Sequence, residues 1–332
     1  MATDNISSPI VNELENKYEN LVFEGGGTKA LAFIGVLKYF DDRNLLKQFK
    51  RVIGSSAGAL TSLLFACGLN SEQIKDEILT LPMDEMKDED IGFIRDADRF
   101  IKEFGLYKGE RLENEIGKIL KKYLGDSKIN FVELYKKTNI ELTVTMTCVD
   151  QGETWYCNYL TEPEMEVKQA VRISMSLPWA FACVKYKGLR FCDGGVYDNF
   201  PIDFWDNKQT GEYNHKTLGF LLMSNDEYLG KKQVYDTKDI VKYSLAIIRG
   251  SIDRSSLAHY DKELSQTVSR IVKINVGDVS TLDTNLSEEK TKQLIYSGYN
   301  SCVNYFKNGQ LLTQIDIPQR VPTKKCSNCT IA

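Results

Sequence analysis

Residues 20–40 read NLVFEGGGTKALAFIGVLKYF, and residues 52–64 read VIGSSAGALTSLL. Each stretch opens on a short β-favouring run, breaks at small residues, and resumes as an apolar run. In the first, Leu31, Ile34, Leu37 and Phe40 recur at helical spacing. In the second, the apolar run continues to Gly68, which is placed to end the helix as a C-cap. Two strand–helix pairs within 70 residues predict an α/β fold with a central, mainly parallel sheet and helices on both faces.

Later segments extend that pattern. IELTVTMTCVD (140–150) predicts a strand, and QGETWYC (151–157) a turn into its pairing partner. VKQAVRISMSL (167–177) predicts a helix stopped by Pro178, and VKYKGLRFCDGG (184–195) a hairpin. TLGFLLMS (217–224) and RIVKINVG (270–277) read as buried strands. Helices are expected over 109–125, about 237–260 and 287–306, the last capped by Ser287 with glutamates in its first turn. The charge-dense stretch 83–104 reads as a solvated helix and loop, or as a flap over a cleft. No repeat or linker divides the chain. The expected organisation is a segment over 1–19, one domain over 20–307, and a tail over 308–332.

Composition narrows the function classes. The chain has 332 residues, 42% hydrophobic and 27% charged, which suits a folded domain with a sizeable core. A net charge of −4 carries no footprint for nucleic acid over the whole chain. No apolar run approaches the ~20 residues that span a bilayer, and the polar N-terminus lacks the pattern of a signal peptide. The eight cysteines are therefore read as reduced thiols of a cytosolic protein. The two histidines, His215 and His259, have no spaced partner, so no zinc site is expected on them.

Three glycine corners fall at predicted strand ends: Gly25–Gly27, Gly54–Gly58 and Gly194–Gly195. Ligands of open α/β sheets sit at such ends. The first corner is not a Walker A loop, and it matches a dinucleotide fingerprint only with Ala30 in the last glycine position. It remains either a structural turn or a cradle of amides for an anion. The second puts Ser56 on a tight corner within G-x-S-x-G, a pattern that chance alone produces in roughly one chain in ten of this length. The third carries Asp193.

Together, GGGTK, GSSAG and DGG, in that order, resemble the patatin-like phospholipases, also called lipid acyl hydrolases. VRISMSLPWAF followed by RFCDGGVYDNFP resembles the segment leading to that family's aspartate. The resemblance covers about residues 20–225. It implies a Ser–Asp dyad, with Ser56 as nucleophile and Asp193 as general base. It also implies an oxyanion hole from the amides of Gly25, Gly26, Gly27 and Ala57. Lys29, Gly54, Gly58, Gly194 and Gly195 complete the motifs, Lys29 standing where the family often has arginine. No metal, calcium included, and no cofactor is implied. The substrate implied is a membrane phospholipid or other glycerolipid.

Two other readings stay open on the residues. The order Ser56, Asp193, then His215 or His259 also matches an α/β-hydrolase triad. A catalytically inactive lipid-binding module of the same fold is the second. The tail, RVPTKKCSNCTIA, holds a single Cys-x-x-Cys pair with nothing to complete a zinc site. Cys329-Thr330-Ile331-Ala332 also fits a C-a-a-X box for prenylation, with Cys326 as a palmitoyl site and Arg320, Lys324 and Lys325 as a basic patch. That reading expects a cytoplasmic protein held peripherally on a membrane inside a eukaryotic cell, its own or a host's.

Overall fold

The computed structural model describes residues 17–81, 104–231, 240–263, 269–281 and 286–307, with residues 14, 234, 235, 237, 238 and 283 besides. The flap considered for 83–104, except Phe104, and the whole tail with Cys326 and Cys329 lie outside the described residues.

The chain begins with β1 (Asn20–Phe23), a short 3-10 turn over Gly27–Leu31, and α1 (Ala32–Asp41). β2 (Arg51–Gly54) leads into α2 (Ala57–Ala66), followed by α3 (Ser71–Thr80). Asn70 and Gln73 close a reciprocal capping box at the start of α3. After β3 (Gly105–Tyr107) come α4 (Glu110–Leu124) and α5 (Phe131–Thr138). β4 (Glu141–Cys148), β5 (Glu153–Cys157), α6 (Val167–Ser174) and β6 (Trp179–Phe181) follow. The hairpin β7 (Val184–Tyr186) and β8 (Leu189–Asp193) runs into the short α7 (Gly195–Asp198). The remainder is β9 (Thr217–Met223), α8 (Asn225–Tyr228), α9 (Ile240–Glu263), β10 (Ile271–Asn275) and α10 (Glu288–Lys307).

Eight strands form the main sheet in the order β10-β9-β1-β2-β4-β8-β7, with β5 also paired to β4. The run from β10 to β4 is parallel, whereas β5, β7 and β8 pair antiparallel. The mainly parallel α/β sheet with helices around it is as the sequence predicts. β3 and β6 form a separate two-stranded sheet that the sequence reading misses, because three-residue strands carry too little periodicity to register.

Register explains why the corners meet. Phe23 pairs with Gly54, so the glycine turn after β1 and the serine turn after β2 leave the sheet side by side. Gly54 pairs with Val144, and Met146, two residues on, pairs with Asp193 at the end of the antiparallel β8. A parallel strand and an antiparallel one thus deliver their corners to the same edge.

The central helix α2 is buried along almost its whole length, with Ala59, Leu63 and Leu64 fully inaccessible. Burying each leucine contributes ~1.5–3 kcal/mol. The helix comes this close to the sheet because its start is glycine. A Cβ at Gly58 would run into the Phe23 carbonyl, and one at Gly54 into the Gly58 carbonyl. The helical spacing read from Leu31 becomes α-helix only at Ala32, after the 3-10 turn. Packing also begins before Asn20: Tyr18 is buried with its ring 6.2 Å from that of Phe306 on α10, and Leu14 joins the same core.

Candidate active site

Ser56 occupies the position before α2 with φ 51° and ψ −123°. A non-glycine residue held there carries on the order of 1–3 kcal/mol of strain. The conformation throws the side chain off the turn. Its hydroxyl does not cap α2 but donates to Asp193 Oδ2 at 2.7 Å. The Ser56 amide donates to Ser174 Oγ at the end of α6, 2.9 Å away, which pins the elbow from the other side.

Asp193 is buried, 3% exposed. Its Oδ1 accepts the Gly195 amide at 2.8 Å, and its Oδ2 faces Ser56. Burial pushes the carboxyl up from 3.8 to about 7, against the pull of those two hydrogen bonds. A carboxylate with that value is poised to take a proton near neutral pH.

The glycine corner lies beside the serine. Gly25 differs from the other candidate donors, because its amide donates to the Asn199 carbonyl at 3.1 Å. The Gly26, Gly27 and Ala57 amides have no acceptor among the described residues. Three amides therefore remain next to Ser56, two from one corner and one from the start of α2, where the helix dipole favours negative charge.

Ser56 and Asp193 line one cavity of about 890 Å³ with Gly25–Gly27 and Ala57. Its walls are mostly apolar, among them Leu60, Leu112, Met175, Trp179 and Phe181. Two cations, Lys29 and Arg249, also line it. The Nε of Arg249 is buried and has no hydrogen-bond partner among the described residues. Two carboxylates share this wall, and Lys29 and Arg249 both draw on Asp253. Asp253 accepts the Tyr235 hydroxyl at 2.5 Å, and Glu227 caps α8 through Ser224.

Neither histidine reaches the Ser56–Asp193 pair. His259 Nε2 lies 3.3 Å from Asp198 Oδ1 on α7. Burial pulls its imidazole down, yet Asp198 and Asp203 leave it above its ordinary value. His215 sits in the loop before β9. Both oxygens of Asp193 are already taken by Ser56 and Gly195. The triad reading thus lacks its base.

The family model for patatin-like phospholipase matches residues 21–204. The chain belongs to the patatin-like phospholipase family. The matched span holds all three corners of this patatin-like chain, and family membership supports lipid hydrolase activity. A protein of Acanthamoeba polyphaga mimivirus is 26% identical over 302 residues, covering 86% of this chain and 93% of its own. A probable lipid hydrolase, 463L, of Invertebrate iridescent virus 6 is 26% identical over 207 residues, covering 60% and 68%. Among solved structures, VipD from Legionella pneumophila superposes with a TM-score of 0.59 at 16% identity, over 88% of this chain and 67% of that one. At that identity the likeness speaks for the patatin-like fold alone.

Several residues at this patatin-like site escape sequence reasoning. Ser174 and Asn199 stand inside segments whose family likeness is legible, but nothing in their spacing assigns them a partner. Ser256 and Arg249 lie on α9, beyond the matched span, and the sequence carries no signal for them.

Proposed function

We propose that the protein is a lipid acyl hydrolase of phospholipase A type, cleaving acyl esters of membrane glycerolipids through a Ser56–Asp193 dyad. The observation that carries this reading is the 2.7 Å hydrogen bond from Ser56 Oγ to Asp193 Oδ2 inside a largely apolar cavity.

The steps follow from that geometry. The acyl chain lies along the apolar wall and brings its ester carbonyl to Ser56. Ser56 Oγ attacks the carbonyl carbon as its proton passes to Asp193 Oδ2. The carbonyl oxygen becomes an oxyanion, met by the amides of Gly26, Gly27 and Ala57. Each well-placed donor is worth ~3–4 kcal/mol in the transition state. Such stabilisation matters here because a carboxylate is a weak base for an alcohol until attack is under way. Collapse breaks the bond to the glycerol oxygen, which leaves with the proton from Asp193. Water then attacks the acyl-enzyme as Asp193 takes its proton, the bond from the acyl carbon to Ser56 Oγ breaks, Asp193 returns the proton to Oγ, and the fatty acid departs. This sequence calls on no metal or cofactor.

Lys29 and Arg249 at the cavity wall support a phosphate-bearing lipid over a neutral one, since two cations, one with a buried Nε that no described residue bonds, favour an anion. The tail reading belongs to the same function. A prenyl group on Cys329 with a second signal at Cys326 would hold the enzyme at its substrate's surface.

The test is labelling with a fluorophosphonate probe, together with release of fatty acid from mixed phospholipid vesicles. Wild type is expected to do both and Ser56→Ala neither. Well-folded wild-type protein that does neither would instead fit the inactive lipid-binding module.

A further inference from the structure

Glu24 directly follows β1 and precedes the glycine corner. It is 5% exposed, and the dyad makes no use of it. A carboxyl group so placed needs an account, since burying one costs several kcal/mol unless it is hydrogen-bonded or neutral. Its Oε2 accepts the Leu222 amide of β9 at 2.6 Å, and its Oε1 accepts Asn199 Nδ2 at 3.2 Å. The Ser256 hydroxyl of α9 bonds to it as well.

Asn199 connects this group to both halves of the site. Its Nδ2 also reaches the Gly25 carbonyl at 3.0 Å and Ser256 Oγ at 3.1 Å, while its own carbonyl accepts the Gly25 amide at 3.1 Å. Asn199 follows α7, the helix that opens two residues after Asp193. A Cβ at Gly25 or at Gly195 would collide with Asn199 Oδ1. One side chain therefore sits between the two corners and is clamped to both, and Glu24 holds it.

We propose that Glu24, acting through Asn199 and Leu222, is the positioning residue that sets the Gly25–Gly27 amides relative to Ser56 and Asp193, and that it does so as a neutral carboxylic acid. Ser256 brings α9 into the same network, so a helix beyond the matched span 21–204 completes the support of the loop. This inference rests on the lipid hydrolase reading above.

The neutral form follows from place and charge. The groups facing Glu24 are Lys29, which favours its ionised form, and Asp253, which opposes it, along with the Leu222 amide and the Ser256 hydroxyl. Burial outweighs them and pushes the carboxyl up to about 8. Neutral, it still accepts the amide hydrogen bonds from Leu222 and Asn199, and its proton would turn to Ser256 Oγ, the one partner able to accept. Ionised, it would set a buried negative charge beside the loop that must receive the developing oxyanion. The rate should then fall on the alkaline side, as Glu24 loses its proton.

The test is the pH dependence of kcat and KM on a soluble p-nitrophenyl ester, and of the rate of fluorophosphonate labelling, for wild type, Glu24→Gln and Glu24→Ala. Wild type is expected to lose activity above about pH 8. Glu24→Gln, neutral at every pH, should restore kcat at pH 7 to within about threefold and lack that alkaline fall. Glu24→Ala should lower kcat at least about tenfold with little change in KM. If Glu24→Gln falls off at the same pH as wild type, or folded Glu24→Ala keeps wild-type kcat, the inference is overturned. Should Glu24→Ala fail to fold, the glutamine profile decides alone. Wild type that neither turns over the ester nor takes the label would refute the hydrolase reading itself, a separate result.

Discussion

Ser56 Oγ and Asp193 Oδ2 stand 2.7 Å apart across 137 residues of sequence. Three features hold them there: the strained elbow before α2, the Ser174 hydroxyl on the Ser56 amide, and the Gly195 amide on the far oxygen of Asp193. The pair is fixed by its surroundings, so substitutions at it separate chemistry from folding.

Ser56→Ala and Asp193→Asn are each expected to lower vesicle hydrolysis by at least about a thousandfold, because in the proposed mechanism each removes a group that touches the reacting atoms. His215→Ala and His259→Ala should stay within about threefold of wild type. Fatty-acid release checks all four, and a large loss at either histidine would revive the triad.

The acid side of the pH profile belongs to Asp193. In the proposed dyad it must be ionised to accept the serine proton, and burial has pushed it up to about 7. Activity should rise with pH through that value. Stability runs the other way. The folded state holds a proton that the unfolded chain, with its value near 3.8, has released, so stability falls between about pH 4 and 7. Asp193→Asn should therefore be more stable than wild type at pH 8, by on the order of 4 kcal/mol, and the gap should close near pH 4. Calorimetry at the two pH values reads both.

Strain at the elbow predicts a second trade between stability and function. Ser56→Gly relieves a backbone that only glycine adopts freely, so thermal unfolding should show it about 1 kcal/mol more stable while wholly inactive. Gly58→Ala should do the reverse. Its methyl group would meet the Phe23 carbonyl, which is backbone and cannot step aside, and a loss of about 2 kcal/mol or more is expected.

Arg249 tests the choice of lipid. Arg249→Ala should raise KM for a phospholipid about tenfold more than for the matching diacylglycerol, a ratio read from paired micellar assays. Equal effects on both lipids would remove the phosphate argument.

For the tail, Cys329→Ser should shift the protein from membranes to the supernatant of fractionated eukaryotic cells. Mass spectrometry should find wild-type Cys329 prenylated and Thr330–Ala332 removed. An intact, unmodified C-terminus would end the anchor proposal.

What the sequence alone determined is local. Glycines and other small residues at 25–27, 54–58 and 194–195 favour tight corners, because a backbone without bulky side chains turns freely. Periodicity after them decides helix, and so the α/β class, Ser56 and Asp193 were all legible. Only the tertiary structure decided partnership. Strand register brought Asp193 to the edge where Ser56 turns. It also turned the Gly25 amide to Asn199, paired His259 with Asp198, and placed Ser256 and Arg249 of α9 at the site. Such pairings depend on contacts between residues far apart in the chain, which no window of neighbouring residues encodes.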